Sequence, residues 1–600
     1  MAKTKKDTKI KQADNKQAII DEVVEKVTDF QSRMSTFMAD YNSWSDLFTI
    51  KRPSRNKNSF SNPASSATFT AAKALAGTEY KMLTTQDPFF EFLDTDGIAE
   101  TNPMSIHKAT ELIRTQLQYS KYKANLFRSL LMKNVFGTVV VEEQFDVLPI
   151  SYLGRKLPML KFEPRSLLQV AFDKGTTEIE NGEWISTSDI VTTNWLKRQI
   201  ANEGIESGWI ADEINGACSK EATSLEINEY MRMRLVAAGY DGNAWPDNAR
   251  EIKTYYGKLD CKNDGVEYIV CVVNNKYIVK FADNPIQTGR RPFRVAHYLK
   301  WELEPLGYGI GKLFSSLHKN INNNRQRMQD LMILTAYNPM LRNRLAGIND
   351  KDMILRPMAM IDTDDMNAFA PIPINQNGIT NGMNLETMFL QEFKTATGAT
   401  DTLQAAVTSA TASEVTLAQN EAMRAISISA ELDAETLMRE HIENMHAHNM
   451  LFIKDKVQIT AGGSPMEIYP SDIQLDLDVK VKIITDKDFR PARLEKLIQY
   501  YQALSSIRNS NPDLASVDLK PIIMEINKAM DIPGNVVVGL TPQRIQEIQT
   551  ATQLMQGYQQ AANPGTSGNM ASQINGEEPV VQTPVGTVAG SPVPSNQGGL

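Results

Sequence analysis

Cysteine is scarce in this 600-residue chain, which has only Cys218, Cys261 and Cys271. So few cannot knit a disulfide framework, and no charged-then-apolar leader precedes them, so a reducing cytoplasm is expected rather than secretion. No run of about 18 apolar residues occurs, so a membrane-spanning helix is not expected. Positive charge is not in excess either: 63 Lys and Arg against 71 Asp and Glu leave a formal charge of -8. A protein that gripped DNA over its whole surface would be basic, because phosphate neutralisation supplies most non-specific affinity. With this charge balance, the chain is not expected to hold DNA tightly. What remains is ordinary globular material, 42% hydrophobic and 22% charged, and long enough for several domains.

Both ends read as tails. Residues 1–17 carry Lys3, Lys5, Lys6, Lys9, Lys11 and Lys16 among few apolar side chains, which predicts a solvated, disordered basic arm. From about Gly557 the chain is rich in Pro, Gly and Ser and is expected to stay disordered.

Between the tails the fold class expected is α+β. Ile20, Val23, Val24, Val27, Phe30, Met34, Phe37 and Met38 recur at helical spacing over 17–48. The basic loop 51–63 reads as a solvated connection. Helices are predicted over 66–84, 104–119, 121–135 and 223–239, with Gly137 and Gly239 as stops. Strands are predicted after Asp87-Pro88, over 138–145, and near 147–153, 159–163 and 167–172. Two-residue turns at Asp264-Gly265 and Asn274-Asn275 predict a three-stranded meander in which Cys261 faces Tyr268 and not Cys271.

The most informative stretch runs from Pro305 to Glu421. A YGIG turn, Tyr308 to Gly311, opens a helix whose apolar stripe includes Ile310, Leu313, Leu317, Ile321, Met328 and Leu331. Its middle, KNINNNRQR, is polar and rich in asparagine, so neighbours rather than propensity should hold it. From Gly309 to Asn338 it would span ~45 Å. A Pro-rich excursion follows over 339–382, then a shorter helix over 383–397 that Gly398 breaks. Thr411 and Glu414 suggest a capping box for a helix from about Ala412 to Lys454, and strands are predicted over 473–485. Further helices are predicted over 490–508, 518–530 and 541–557.

Catalytic and cofactor chemistry finds no seat. GYGIGK, residues 307–312, has Leu306 where a phosphate loop needs glycine and Leu313 where it needs Ser or Thr, so a junction from sheet to helix accounts for its glycines better. His441, His446 and His448 miss the four-residue spacing that places two ligands on one helical face and read as a polar helix face. Asp362, Asp364 and Asp365 read as a solvated turn rather than a magnesium site. No enzyme, metal or cofactor is therefore expected.

The order of WELEPLGYGIGKLFSSLHKNINNNRQRMQDLM, the Pro-rich excursion, TATGATDTL and TASEVTLAQNEAMR resembles the portal (head-to-tail connector) proteins of tailed bacteriophages, especially short-tailed ones. NLFRSLLMKNVFGTVVVEEQF resembles the helix-to-strand step of the same family, and the likeness covers roughly residues 20–550. It implies a homo-oligomeric ring, usually of twelve copies, at one capsid vertex of the virion. Double-stranded DNA would be packaged and ejected through it. The terminase large subunit, a head-completion or tail adaptor, and the major capsid and scaffolding proteins would be partners, with no membrane involved.

Carried over, the wing would be 18–308, the first stem helix 309–338, the clip 339–382 and the second stem helix 383–397. The tunnel loop would be 398–412, the long helix and wing strands 413–489, the crown 490–557 and the tail 558–600. The crown is shorter than a long helical barrel requires. The tunnel loop offers Thr402, Gln404, Thr408, Ser409 and Thr411 with Asp401 as its only charge, a set that can touch DNA and release it. Arg342, Arg344 and Arg356 fall in or beside the clip, where two readings stay open: contact with the acidic surface of a motor or adaptor, or ion pairs between neighbouring copies. Another virion structural protein, a tail adaptor or internal head protein, is the alternative. A packaging nuclease or ATPase is a third reading, which magnesium-dependent cleavage or ATP turnover would support.

Overall fold

In the computed structural model, residues 2–53, 59–94, 103–149, 156–201, 208–219, 229–284, 291–337, 340–342, 369–371, 377–399, 426–461, 464–474 and 477–482 are described. The chain divides at Ala492, and all described residues lie in the first unit. The predicted crown, the tail, the acidic turn at 362–365 and most of the clip lie outside them. Among the described residues no helix is long and apolar enough to cross a membrane.

The first helices are α1 (Ala2–Arg33), α2 (Ser35–Phe48) and α3 (Ala67–Thr84). The helical spacing seen in the sequence seats Ile20, Val23, Val27 and Phe30 in a core. The predicted disordered arm is corrected here: α1 begins at Ala2 and runs straight through it. Residues 2–33 contain neither glycine nor proline, and extending a helix from a packed end adds a hydrogen bond for each residue fixed.

Next come β1 (Phe90–Asp94), α4 (Pro103–Tyr119), α5 (Tyr122–Phe136), β2 (Thr138–Pro149), β3 (Lys156–Arg165) and β4 (Val170–Phe172). After them stand β5 (Trp184–Thr192), α6 (Thr193–Ala201), α7 (Ala211–Ala217), α8 (Glu229–Ala237), and the strands β6 (Ala249–Lys258), β7 (Glu267–Val273), β8 (Tyr277–Asp283) and β9 (Phe293–His297). Pairing is antiparallel throughout, in a three-stranded sheet β3-β2-β9 and a five-stranded sheet β4-β5-β6-β7-β8. The result is a mixed fold of helices and small antiparallel sheets.

The unbroken TVVV run that opens β2 is explained by its place between two cores. Val139 and Val141 face the core of α3, α4 and α5, while Val140 faces that of α1 and the five-stranded sheet. A strand covered on both faces needs no polar alternation. The predicted strand near 147–153 is in part the far end of β2.

The meander forms, but its first connection is longer than predicted. Leu259 is buried and turns the chain inward after β6, so Gly257 and not Cys261 stands opposite Tyr268. Asp264 still organises the loop, accepting from the Tyr268 hydroxyl at 2.5 Å and the Val266 amide at 3.1 Å. Cys271 lies opposite Thr254, and all three cysteines are free. At the second turn Asn274 and Asn275 both have positive φ, 49° and 57°, as a tight hairpin turn requires.

The remaining elements are α9 (Ile310–Leu313), α10 (Ser315–Ala336), β10 (Met340–Arg342), β11 (Phe369–Pro371), α11 (Asn377–Thr397), α12 (426–433), α13 (Glu440–Phe452), β12 (Val457–Ala461), β13 (Ser464–Ile468) and β14 (Leu477–Val481). A π-helical turn, Ala434–Arg439, joins α12 to α13. β1 pairs with β14, β10 with β11, and β12 with β13, a hairpin that the sequence pattern did not suggest.

Candidate functional site

The long helix expected from Gly309 is interrupted at Phe314, and α10 then runs unbroken. The YGIG glycines sit where sheet passes into helix, because the backbones there approach closely. A Cβ on Gly307 would stand 2.5 Å from the Gly137 carbonyl oxygen, and one on Gly311 would stand 2.6 Å from the Trp44 Cβ. Gly137, at φ +89°, ends α5 and feeds β2.

α10 and α11 form an antiparallel hairpin. Phe314 meets Phe393 with ring centroids 5.7 Å apart, Asn324 donates to the Gly382 carbonyl at 2.8 Å, and Arg325 donates to Glu386 at 2.7 Å. α11 starts six residues before the predicted second stem helix, at Asn377. Its two early glycines, in the stretch predicted as clip, serve as contact points. A Cβ on Gly382 would meet the Met328 side chain at 2.5 Å, and one on Gly378 would meet Leu331 at 2.9 Å. In the excursion between these helices, β10 pairs with β11. Large apolar side chains along the hairpin are exposed, including Met332, Met383, Met388 at 65% and Tyr337 at 76%.

The polar middle of α10 is held by a neighbouring segment of the same chain, in line with the expectation that neighbours rather than propensity hold it. His318, Asn322, Gln326 and Asp330, one turn apart, form a ladder with residues 59–68. His318 Nδ1 meets the Thr68 hydroxyl at 2.8 Å, and Asn322 accepts from the Ser65 amide at 2.7 Å. Gln326 donates to Ser59 Oγ at 2.7 Å, and Asp330 accepts from the Ser59 hydroxyl at 2.7 Å and the Phe60 amide at 3.0 Å. Burial, with Arg325 nearby, lowers the His318 pKa to about 4. Burial works against ionisation of Asp330, but its Ser59 and Ser61 hydrogen bonds outweigh it and lower its pKa. The sequence shows that the polar middle needs neighbours but not which segment supplies them, because that segment lies far away in the chain. The four-residue spacing, opposite a Ser-rich segment, was the available signal.

Of the predicted site residues, Arg342 ends β10, paired with Phe369 of β11. Arg344, Arg356, Asp401, Thr402, Gln404, Thr408, Ser409 and Thr411 lie outside the described residues.

The histidines of α13 correct the reading of a polar face, because His441 and His446 are buried. His441 Nδ1 lies 2.7 Å from Glu143, and its ring stacks on Tyr122 with centroids 5.3 Å apart. Glu143 also accepts from Asn444 at 2.7 Å and pairs with Arg294. Burial disfavours the Glu143 carboxylate, yet Arg294, His441 and Asn444 hold its pKa at about 2. Nearby, Glu180 accepts from the Val295 amide at 2.6 Å, and burial, against the pull of Arg294, pushes it up to about 7.

A second buried cluster ties α3, α5 and α12 together. Lys133 reaches Glu79 at 3.0 Å, Ser429 at 2.8 Å and Asp433 at 2.5 Å. Burial pushes the Asp433 carboxyl up, with Lys133 opposing and Glu79 adding to the rise. Lys133 and Asp433 are both almost wholly buried, as are Glu143 and His441. Catalysis needs substrate access that such positions lack, so these clusters act as joints between elements. Among the described residues no group of three His, Cys, Asp or Glu side chains is arranged to hold a metal ion.

No protein-family model matches this sequence, and no curated protein is significantly similar to it.

Proposed function

We propose that this chain is a portal-type subunit: copies stand around an axis at one vertex of a bacteriophage capsid, and double-stranded DNA passes between them. The observation that carries this reading is the antiparallel α10/α11 hairpin with strands β10 and β11 in its connecting excursion and large apolar side chains exposed along it. Because the polar ladder of α10 is already satisfied within the chain, the exposed apolar side chains of the hairpin are what call for a neighbour. Isolated exposed apolar residues are ordinary, but Tyr337, Met388, Met383 and Met332 gathered on one hairpin suit a protein-protein contact. Identical copies joined head to tail close into a ring.

In this reading Asp401, Thr402, Gln404, Thr408, Ser409 and Thr411 face the passing DNA. The formal charge of -8 per copy favours release over capture. Arg342, Arg344 and Arg356 meet the terminase or a tail adaptor, and capsid and scaffolding proteins bind the rim. Light scattering on the purified chain tests the proposal. A mass of many copies is expected, and a lone monomer at every concentration would contradict it.

A further inference from the structure

The connection from β9 to α9 holds three large apolar side chains in water. Leu299, Trp301 and Leu303 are 47%, 55% and 77% exposed. The backbone beneath them is fixed at both ends. The Tyr298 amide donates to the Gly137 carbonyl at 2.9 Å, the Tyr308 amide to the Leu299 carbonyl at 2.7 Å, and the Gly307 amide to Thr138 Oγ1 at 2.7 Å. Across the tip, the Glu304 amide donates to the Trp301 carbonyl at 3.3 Å, and Lys300 pairs with Glu178. The Tyr308 hydroxyl donates to Glu304 at 2.7 Å while Lys312 lies 3.6 Å from the Tyr308 ring centroid. A loop so tied has little freedom to fold its apolar side chains inward. A preorganised aromatic anchor loses little entropy on binding, which is why tryptophan is enriched where interfaces gain most of their energy.

The tip also carries charge. Glu302, exposed and at φ +46°, has no ion-pair partner among the described residues. A second exposed tryptophan and an exposed basic residue lie on α6 of the same chain. Trp195 is exposed and rests edge-on against Trp209, with ring centroids 6.2 Å apart. Arg198, one turn along the same helical face, is exposed and likewise without an ion-pair partner among the described residues.

We propose that the 298–307 loop of one copy docks on α6 of the next, Trp301 and Leu303 covering Trp195 while Glu302 meets Arg198. Two different surfaces of one chain then meet in a heterologous contact, the type that closes cyclic rings. The inference rests on the ring reading and specifies which surfaces of successive copies meet.

The test uses the full-length chain in sedimentation velocity, comparing wild type with Glu302→Arg, Arg198→Glu, the double charge swap and Trp301→Ser. Each single variant is expected to raise the concentration needed for assembly by about tenfold, the effect of one close interfacial charge pair or anchor. The double swap is expected to restore assembly, which a general folding defect would not do. Circular dichroism of the dissociated variants should match that of wild type. Assembly of all the single variants at the wild-type concentration would overturn this contact and leave the ring reading standing. A wild-type chain that never assembles would overturn both.

Discussion

Asp330 of α10 holds Ser61 twice, accepting from its backbone amide at 2.8 Å and from its hydroxyl at 2.7 Å. One carboxylate thereby fastens the segment that leads into α3 to the longer helix of the hairpin. Asp330→Ala should cost about 1–2 kcal/mol, the range for charge-assisted hydrogen bonds at a partly exposed site. Hydrogen exchange at the Phe60 and Ser61 amides should accelerate more than at Thr68, three rungs away. Uniform acceleration along the segment would show that the ladder does not act rung by rung.

The Lys133 cluster should be far less forgiving. Lys133→Met leaves Glu79 and Asp433 buried without their shared ammonium group, a loss of about 3–5 kcal/mol for a broken buried pair. Adding Glu79→Gln and Asp433→Asn should recover part of that loss, because no uncompensated charge remains. Urea midpoints measure both, and equal midpoints for the single and triple variants would refute the account of the cluster.

Stability should depend on pH with two opposite signs. Burial, with Lys300 nearby, lowers the His297 pKa from 6.5 to about 4, and His318 likewise falls to about 4. Their contribution is full above pH 6.5 and is lost as pH falls toward 4. Glu143, at about 2 against its usual 4.5, adds a further loss below pH 4.5. Glu180 works the other way: raised to about 7, it stabilises fully below pH 4.5 and ceases to do so as pH rises past 7. Glu180→Gln keeps an acceptor for the Val295 amide, so its melting temperature relative to wild type should be most favourable at pH 8 and least at pH 4.5. The same difference at both values would contradict the assignment.

Gly137→Ala should be among the most damaging of small substitutions. The residue sits at φ +89°, and an added Cβ would strike the backbone of Gly307, Tyr308 and Gly309. A loss of about 3 kcal/mol is expected from the strained backbone and the clash together. Gly239→Ala, also at positive φ but with nothing within 4 Å of the added carbon, should cost clearly less. Thermal melts of the two variants compare them directly.

Much of this fold was legible in the sequence wherever one local signal decided the outcome. The Ile20–Phe30 spacing marks a helix, Gly137 a helix stop and Asn274-Asn275 a hairpin turn. Misreadings arose where tertiary contacts reassign a residue's role. Gly378 and Gly382 fall in the predicted clip, yet they belong to α11, where Leu331 and Met328 lie against them. His441 looks like a surface histidine until Glu143 and Tyr122 enclose it. The partners of the polar stripe of α10 were not legible because they lie about 260 residues away in sequence, as Ser65 does from Asn322 (257). Of the candidate site, the hairpin order was legible from the alternation of helical stripe, Pro-rich excursion and second helix, while the exposed Trp301 loop was not, since nothing local distinguishes a buried tryptophan from a presented one.

The central claim is tested most directly by class-averaged electron micrographs of the purified full-length chain. The account predicts closed rings of identical copies with an axial opening wide enough for duplex DNA. Particles of a single chain at every concentration, or assemblies with no opening along the axis, would contradict it.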